Sequence, residues 1–301
     1  MTIMNPCNNS AKKTACPVCS HSMEFLYTID RFSNPFDIFV CPECGLQKKH
    51  SANEDENIYY GEDYYSGRAE YSYIDERKFI PYHRHVWKAR LKNIARYVAP
   101  PSDFLDIGCA FGGFALEAKQ MGYRAKGLDI SDYAVQYAVK SGLDAKAGKL
   151  EDIPFPENSF DIVTMIEVIE HVSDPKKAFH ILSDMIRPGG LLILQTANFE
   201  GLQAKHKKSD YHYYLPGHLH YYSKSNLEKI LKRFGFSRTI FYGGVDFGLM
   251  PKLLKSGGGF YKPSDYLKWI QMAVYHYKSK IRWNHFAMTS SMVMYAFRDK
   301  K

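Results

Sequence analysis

DFLDIGCAFGGFALEAKQMGYRAKGLD, residues 103–129, is the stretch that decides the fold. A short apolar run, Phe104 to Ile107, meets Gly108. Gly112 and Gly113 follow and open an amphipathic segment, Phe114 to Met121; a second short run then ends on Asp129. Strand, glycine-rich turn, helix and strand in this order form a nucleotide-binding βαβ unit. The glycines let the backbone turn sharply and come close to a ligand, because no Cβ intervenes. A carboxylate at the tip of the second strand can accept hydrogen bonds from both hydroxyls of a ribose.

Departures from the dinucleotide pattern narrow the ligand. Gly-x-Gly-x-x-Gly leaves room for a pyrophosphate at its middle glycine, but this chain has Ala110 there and an acidic residue, Asp106, two places before Gly108. That carboxylate would repel a diphosphate. It favours the ammonium end of S-adenosylmethionine (SAM), directly or through water. The segment Asp106-Ile-Gly108-Cys-Ala-Phe-Gly112 resembles motif I of the class I SAM-dependent methyltransferases.

Downstream the same order continues. Ser131-Asp132 caps a helix running to Lys140, a short strand lies at Asp144–Ala147, and Phe160–Ile166 is a buried strand. Glu167-Val-Ile-Glu170-His171-Val172 and Asp174-Pro175 lead into a helix over 175–186, then Arg187-Pro-Gly-Gly190 and a strand from Leu191 to Thr196. Pro216-Gly-His218-Leu-His220-Tyr-Tyr-Ser223 precedes a capped helix to Phe234, and Ser290–Phe297 reads as a final strand. The run SFDIV, EVIEHV, DP and RPGGLLIL strongly resembles ubiquinone-type class I methyltransferases, over roughly residues 59–242. The resemblance implies a doubly wound, Rossmann-like α/β fold with a seven-stranded sheet whose last strand is antiparallel. It places Asp106, Gly108, Gly112, Asp129, Ile130 and Glu167 around SAM. In that family the loop after the third strand borders adenine. Lys149 stands where many relatives have an acid, so Glu151 or Asp152 must supply any acidic contact, and Leu150 a backbone one.

Four of the six cysteines form two pairs, Cys16-Pro-Val-Cys19 and Cys41-Pro-Glu-Cys44-Gly45. Each turn presents two thiolates to one metal, and two turns complete a tetrahedral structural zinc site with no open position for catalysis. Phe25–Tyr27 and Ile38–Val40 are the strands of the resulting ribbon. A disulfide reading is disfavoured because no signal peptide precedes the pairs. Cys109 is a small space-filler in the glycine loop, and Cys7 is left over. The chain therefore divides into a zinc ribbon (1–50), a tyrosine-rich lid and helical linker (51–100) and a SAM-binding domain (101–301). The lid contains Tyr59–Tyr65, Tyr71 and Tyr73, followed by a helix from about Tyr82 to Tyr97. The SAM domain carries an insertion at about 243–289. With the cysteine pairs in front, the whole looks like methyltransferases that modify sugars and surface polysaccharides.

The apolar fraction, 45%, is that of a globular protein, and no run reaches the ~18 apolar residues of a membrane span. These features point to a cytoplasmic protein, with an oligomer allowed. Charge is uneven: residues 201–301 carry 18 basic and 5 acidic side chains, +13, against +8 for the whole. That excess can face phosphate, or it is a solvated lysine surface. The aromatic stretch Tyr266–Ile281 belongs to a substrate pocket or a dimer contact, or lies on a membrane surface.

Methyl transfer needs an aligned nucleophile and, for a hydroxyl acceptor, a base. His171 on the EVIEH loop and His212, His218 and His220 on the later loop are the candidate catalytic residues. In ubiquinone O-methyltransferases a similar E-x-x-E-H triplet holds a divalent cation, which would place magnesium at Glu167, Glu170 and His171; many relatives carry Glu-His here without metal, as support for the loop. The leading function is SAM-dependent methylation of a small, sugar-containing or nucleotide-linked acceptor. The alternatives are an RNA methyltransferase gripping phosphate with the ribbon and basic third, and a non-catalytic SAM- or zinc-binding module.

Overall fold

A computed structural model describes residues 14–51, 75–256, 262–283, 286–288 and 290–300. The tyrosine-rich lid expected over Tyr59–Tyr73, and Cys7, lie outside the described residues.

Five strands alternate with helices, as the βαβ pattern requires. They are β4 (Asp103–Ile107), β5 (Arg124–Asp129), β6 (Asp144–Ala147), β7 (Phe160–Ile166) and β8 (Ile186–Ala197). All four pairings among them are parallel. Near the amino end, β1 (Glu24–Ile29), β2 (Phe36–Val40) and β3 (Gln47–His50) form an antiparallel sheet. Later come β9 (His220–Tyr221), β10 (Arg238–Gly243), the small hairpin β11 (Arg282–Trp283) and β12 (Phe286–Ala287), and β13 (Ser291–Phe297). The large sheet has seven strands in the order β10-β13-β8-β7-β4-β5-β6, with β13 antiparallel to both neighbours. β4, β7 and β13 are buried along nearly their whole length, the signature of strands covered on both faces. The chain moves from β4 outward to β6 and returns to β7 on the other side of β4. Ligands of open α/β sheets bind at the carboxyl ends of strands flanking such a reversal.

Eight helices are described: α1 (Ile80–Ile94), α2 (Gly113–Gln120), α3 (Asp132–Lys140), α4 (Pro175–Met185), α5 (Leu202–Lys207), α6 (Lys224–Arg233), α7 (Leu249–Ser256) and α8 (Pro263–Lys280). Their starts follow local chemistry. Ser131 Oγ accepts from Ala134 N at 3.3 Å, Asp174 caps α4 ahead of Pro175, and Ser223 and Asn226 make a reciprocal capping box. β8 begins at Ile186 rather than Leu191, because the Arg187 turn is clamped to the sheet. Its guanidinium binds Asp103 at 2.9 Å and Asp161 at 2.8 Å. The expected insertion contains α7, packed along α1, then α8 and the β11–β12 hairpin. Among the described residues no helix is long and apolar enough to cross a membrane.

One connection is not local. β9 adds to β3 through Gln47↔Tyr221 and Lys48↔His220, so residues from beyond β8 complete the amino-terminal sheet. Cys16, Val18, Cys41 and Leu46 share one core with Leu227, Leu231 and Phe234 of the α6 region.

Candidate active site

The glycine loop leaves β4 at Gly108, whose φ of +77° favours glycine, and a Cβ there would meet Val168 Cγ2 at 2.2 Å. The loop is held from two sides. Gly108 N and Cys109 N donate to Leu128 O at 2.7 and 3.0 Å. Ala110 N donates to Asp129 Oδ2 at 2.8 Å, and Ser131 N to Asp129 Oδ1 at 2.9 Å. Asp129 therefore sits at the tip of β5 as expected, its carboxylate fixed by these two backbone donors. Ile130 beside it is an exposed apolar side chain. Gly148 N donates to Asp129 O at 2.8 Å, which draws the 148–152 loop to the same edge. There Leu150 is buried, and Glu151 Oε1 is buried with no hydrogen-bond partner.

Asp106 is buried behind the loop, accepting from Thr164 Oγ1 at 2.6 Å. Burial pushes its carboxyl up to about 7; Thr164 opposes this, and Glu76 and Asp129 add to it. Cys109 packs with Ala115, Ala138 and Leu143, as a space-filler should. Two residues missed in the sequence cover this region. Glu76 is buried close enough to act on Asp106, and Arg77 lies over the Phe111 ring at 4.2 Å while binding Asp75 at 2.8 Å. Both stand in a polar stretch ahead of α1 with no motif to mark it.

At the exit of β7 the E-x-x-E-H triplet splits. Glu167 takes a left-handed φ of 57°, and residues 169–171 form a single 3-10 turn. Glu167 points to solvent and accepts from Gln195 Nε2 at 2.7 Å. Glu170 turns inward and is almost fully buried, neither oxygen having a hydrogen-bond partner. Burial, reinforced by Glu167, pushes its carboxyl well above the usual range. The ligand atoms that meet are those of Glu170, His171 and His218, all within 4.8 Å of one another. Glu167 is not in this group, so the expected chelate of Glu167, Glu170 and His171 is not assembled. His171 Nδ1 lies 2.8 Å from Gly217 O and His218 Nδ1 lies 3.1 Å from Tyr213 O. Each must donate there, since a carbonyl only accepts. Burial depresses both imidazoles, His171 to about 4 and His218 well below its usual range.

The 211–222 loop packs against the small amino-terminal sheet. Tyr211, Tyr214 and Tyr221 are buried in one cluster with Ile29, Phe36 and Ile38 of the small sheet. Arg31 donates to Ser209 O and Tyr211 O, Lys49 to Pro216 O, and Tyr214 OH to Gln47 Oε1. His220 lies on β9, its Nδ1 on Val172 O at 3.0 Å. Its ring is buried and depressed to about 3 by that burial. His212 alone of the four histidines is exposed.

A buried ion pair stands behind Glu167. Arg90 Nε contacts Asp246 Oδ1 at 2.9 Å, and Arg90 also reaches Gln195 Oε1, the side chain that aims Glu167. Tyr295 OH donates to the same Asp246. Removing one partner of such a pair costs about 3–5 kcal/mol, because the other charge is left buried. Arg90 and Asp246 lie 156 positions apart, so no sequence spacing signals them.

The four cysteine sulfurs meet as predicted. Cys16–Cys44, Cys19–Cys41 and Cys19–Cys44 are separated by 3.6, 3.4 and 3.7 Å. A tetrahedral ion with Zn–S bonds of about 2.3 Å holds its sulfurs about 3.8 Å apart. Crowding sets the thiols against one another: Cys44 pulls Cys16 down to about 5, and Cys16 raises Cys44. A cation would let all four ionise. Beside this cluster, Val18, Cys19, Lys176, His180 and Arg233 line an open groove of about 300 Å³ that includes no residue of the glycine loop.

Residues 79–239 match the family described as a methyltransferase domain, over more than half of the chain. The chain belongs to this methyltransferase family. A ubiquinone biosynthesis O-methyltransferase of Parvibaculum lavamentivorans is 32% identical over 127 residues, 40% of this chain and 50% of that protein. A norajmaline N-methyltransferase of Rauvolfia serpentina is 34% identical over 103 residues, 31% of this chain and 35% of that one. The chain thus spans about half or less of the length of these curated relatives. Among solved structures, phosphoethanolamine N-methyltransferase 2 of Haemonchus contortus, with phosphomonomethylethanolamine and S-adenosylhomocysteine, aligns at a TM-score of 0.54 with 15% identity. It covers 92% of this chain and 71% of that one. A SAM-dependent methyltransferase of Archaeoglobus fulgidus aligns at 0.52 with 17% identity, covering 74% and 97%. These two show that the methyltransferase domain has the expected seven-stranded α/β fold.

Proposed function

We propose that this methyltransferase domain transfers a methyl group from SAM to a small-molecule acceptor. The observation that carries the reading is the aimed Asp129 carboxylate, fixed by Ala110 N and Ser131 N at the carboxyl edge of the sheet beside a glycine loop. Exposed Ile130 offers a flat apolar contact for adenine, the orphaned Glu151 oxygen an acceptor for its amino group, and Asp106 and Glu167 negative charge for the methionine ammonium. When bound, SAM supplies a methyl group already activated by its sulfonium. The chain's own work is to orient the acceptor, exclude water and take a proton. His171 donates Nδ1–H to Gly217 O at 2.8 Å, which fixes its tautomer, and is the residue we assign to take the proton. His218 packs edge-on against its ring at 4.8 Å and holds it in place.

A sugar-containing or nucleotide-linked acceptor, structural zinc on the four cysteines and a cytoplasmic setting belong to the same reading, as does the division at residues 50 and 100. Purified protein with methyl-labelled SAM, offered nucleotide sugars in one reaction and total RNA in another, should label the small-molecule fraction. Label confined to RNA would replace this reading with the nucleic-acid one. SAM binding without transfer to either pool would make the protein a binding module.

Asp106 gives a pH signature. With its carboxyl near 7, a SAM ammonium finds a neutral partner below that value and a charged one above it. SAM affinity should rise by about tenfold between pH 6 and 8, and Asp106→Asn should flatten the curve. Ligand-free stability should move the other way. The folded carboxyl holds its proton up to about 7 while the unfolded one has lost it, so stability falls as pH rises through that window. Parallel titrations by calorimetry and thermal melting check both signs.

A further inference from the structure

α8 buries one face and leaves the other bare. Asp265, His276 and Ser279 are buried, with Trp269 and Met272 partly so; these positions recur at helical spacing along one side. Opposite them, Tyr266, Leu267, Ile270, Val274 and Tyr277, with Ile281 just past the end, are 47–67% exposed. At 3.6 residues per turn these six fall within an arc of roughly 100° that contains no charged residue. Met250 and Leu254 of α7, the helix that touches α8, add two more exposed apolar side chains. So much uncovered apolar surface on adjoining helices marks an interaction site.

Charge selects the occupant. The arc is bordered by Lys278 on one side and by Lys262 and Lys280 on the other; Lys280 Nζ also donates to Val245 O at 2.8 Å, and exposed Lys268 pairs with Asp265 at 3.3 Å. The sole carboxylate of α8, Asp265, is buried and turned to the helix start, where it accepts from Lys262 N at 2.9 Å. A second copy laid on this face would bring lysine borders together with no exposed acid on α8 to offset them. An anionic lipid surface satisfies both halves: acyl chains take the apolar arc, phosphates take the lysines, and tyrosines suit the boundary. The +13 excess of residues 201–301 acts in the same direction.

We propose that α8 docks this protein on an anionic membrane surface, lying in the headgroup plane with Leu267, Ile270 and Val274 inserted. The proposal stands apart from the methyl-transfer reading and is tested without it. Full-length protein should sediment with vesicles containing phosphatidylglycerol and much less with phosphatidylcholine alone. Binding should weaken several-fold from 0.1 to 1 M salt, as the screening length falls from about 10 to about 3 Å. Ile270→Glu with Val274→Glu should lower the partition coefficient by about tenfold or more at unchanged melting temperature, since both side chains are exposed. Lys262→Glu with Lys278→Glu should weaken binding while leaving the arc intact. Undiminished binding by the Ile270/Val274 variant overturns the proposal, as does equal binding to neutral vesicles. A concentration-dependent dimer that this variant abolishes, without vesicle binding, assigns the face to a second copy and also overturns it.

Discussion

Asp129→Ala should weaken SAM binding by at least about a hundredfold. The carboxylate holds two buried backbone donors, Ala110 N and Ser131 N, at 2.8 and 2.9 Å. Hydrogen bonds to a charged group contribute about 1.5–3 kcal/mol each, and a factor of ten in affinity is about 1.4 kcal/mol. Loss of the loop's fixed shape alone therefore reaches that range, before any contact to a ribose is counted. Asp129→Asn keeps the volume but turns an amide N–H toward one of the two donors, and should also lose affinity. Melting of the ligand-free protein reports the loop-holding role on its own, as a lowered melting temperature. Unchanged affinity by calorimetry in a folded Asp129→Ala protein would remove SAM from this site.

Stripping metal from the four-cysteine cluster should have the other large effect. Sulfurs spaced 3.4–3.7 Å apart fit one zinc per chain, and structural zinc sites contribute apparent binding energies of about 10–16 kcal/mol near neutral pH. Metal analysis should find one equivalent. Chelation under mild denaturant, or Cys44→Ser, should melt the small sheet. The damage should not stop there. β3 pairs with β9, Asn226 Nδ2 donates to Gly45 O at 3.0 Å, and Arg31 and Lys49 hold the carbonyls of Ser209, Tyr211 and Pro216. These same residues position Tyr213 and Gly217, the partners of His218 and His171. Turnover should therefore fall far more than SAM affinity. Equal losses in both, or substoichiometric metal in fully folded protein, would contradict the assignment.

What could be read in advance was what local pattern controls. β7 has the expected bounds because a short apolar run between turn signals is self-contained, and β6, Asp144–Ala147, is set by the glycines at 142 and 148 that flank it. The meeting of the four cysteines and the place of Asp129 at the tip of β5 followed from local spacing. Pairing across distance was not legible: nothing in the polar Gln47–His50 or the two residues His220-Tyr221 announces a shared sheet. The triplet at 167–171 shows the same limit: the resemblance groups Glu167, Glu170 and His171, but a left-handed Glu167 and a 3-10 turn send Glu167 outward and Glu170 inward, where His218 from another loop meets it. Nothing local in the aromatic 211–222 loop shows what its tyrosines pack against. Here their rings fill the joint with the ribbon, a job that depends on strands nearly two hundred positions earlier.

β10 and β13 lie side by side, Gly243 opposite Met292, and Gly244 N donates to Ser291 O at 2.8 Å. The chain therefore leaves the sheet after Gly243 and rejoins it at Ser291, one strand spacing away. Lengthening a closed excursion of this kind adds only about 0.6 kcal/mol per doubling. Its described residues are tied back to the domain at a few places: Asp246 on Arg90, α7 along α1, and Ser290 O, which accepts from Asn198 N and Tyr211 OH. The chain has in effect a cassette: a relative could exchange this segment whole, altering where the protein docks or what it accepts while the glycine loop and its carboxylates stay as they are.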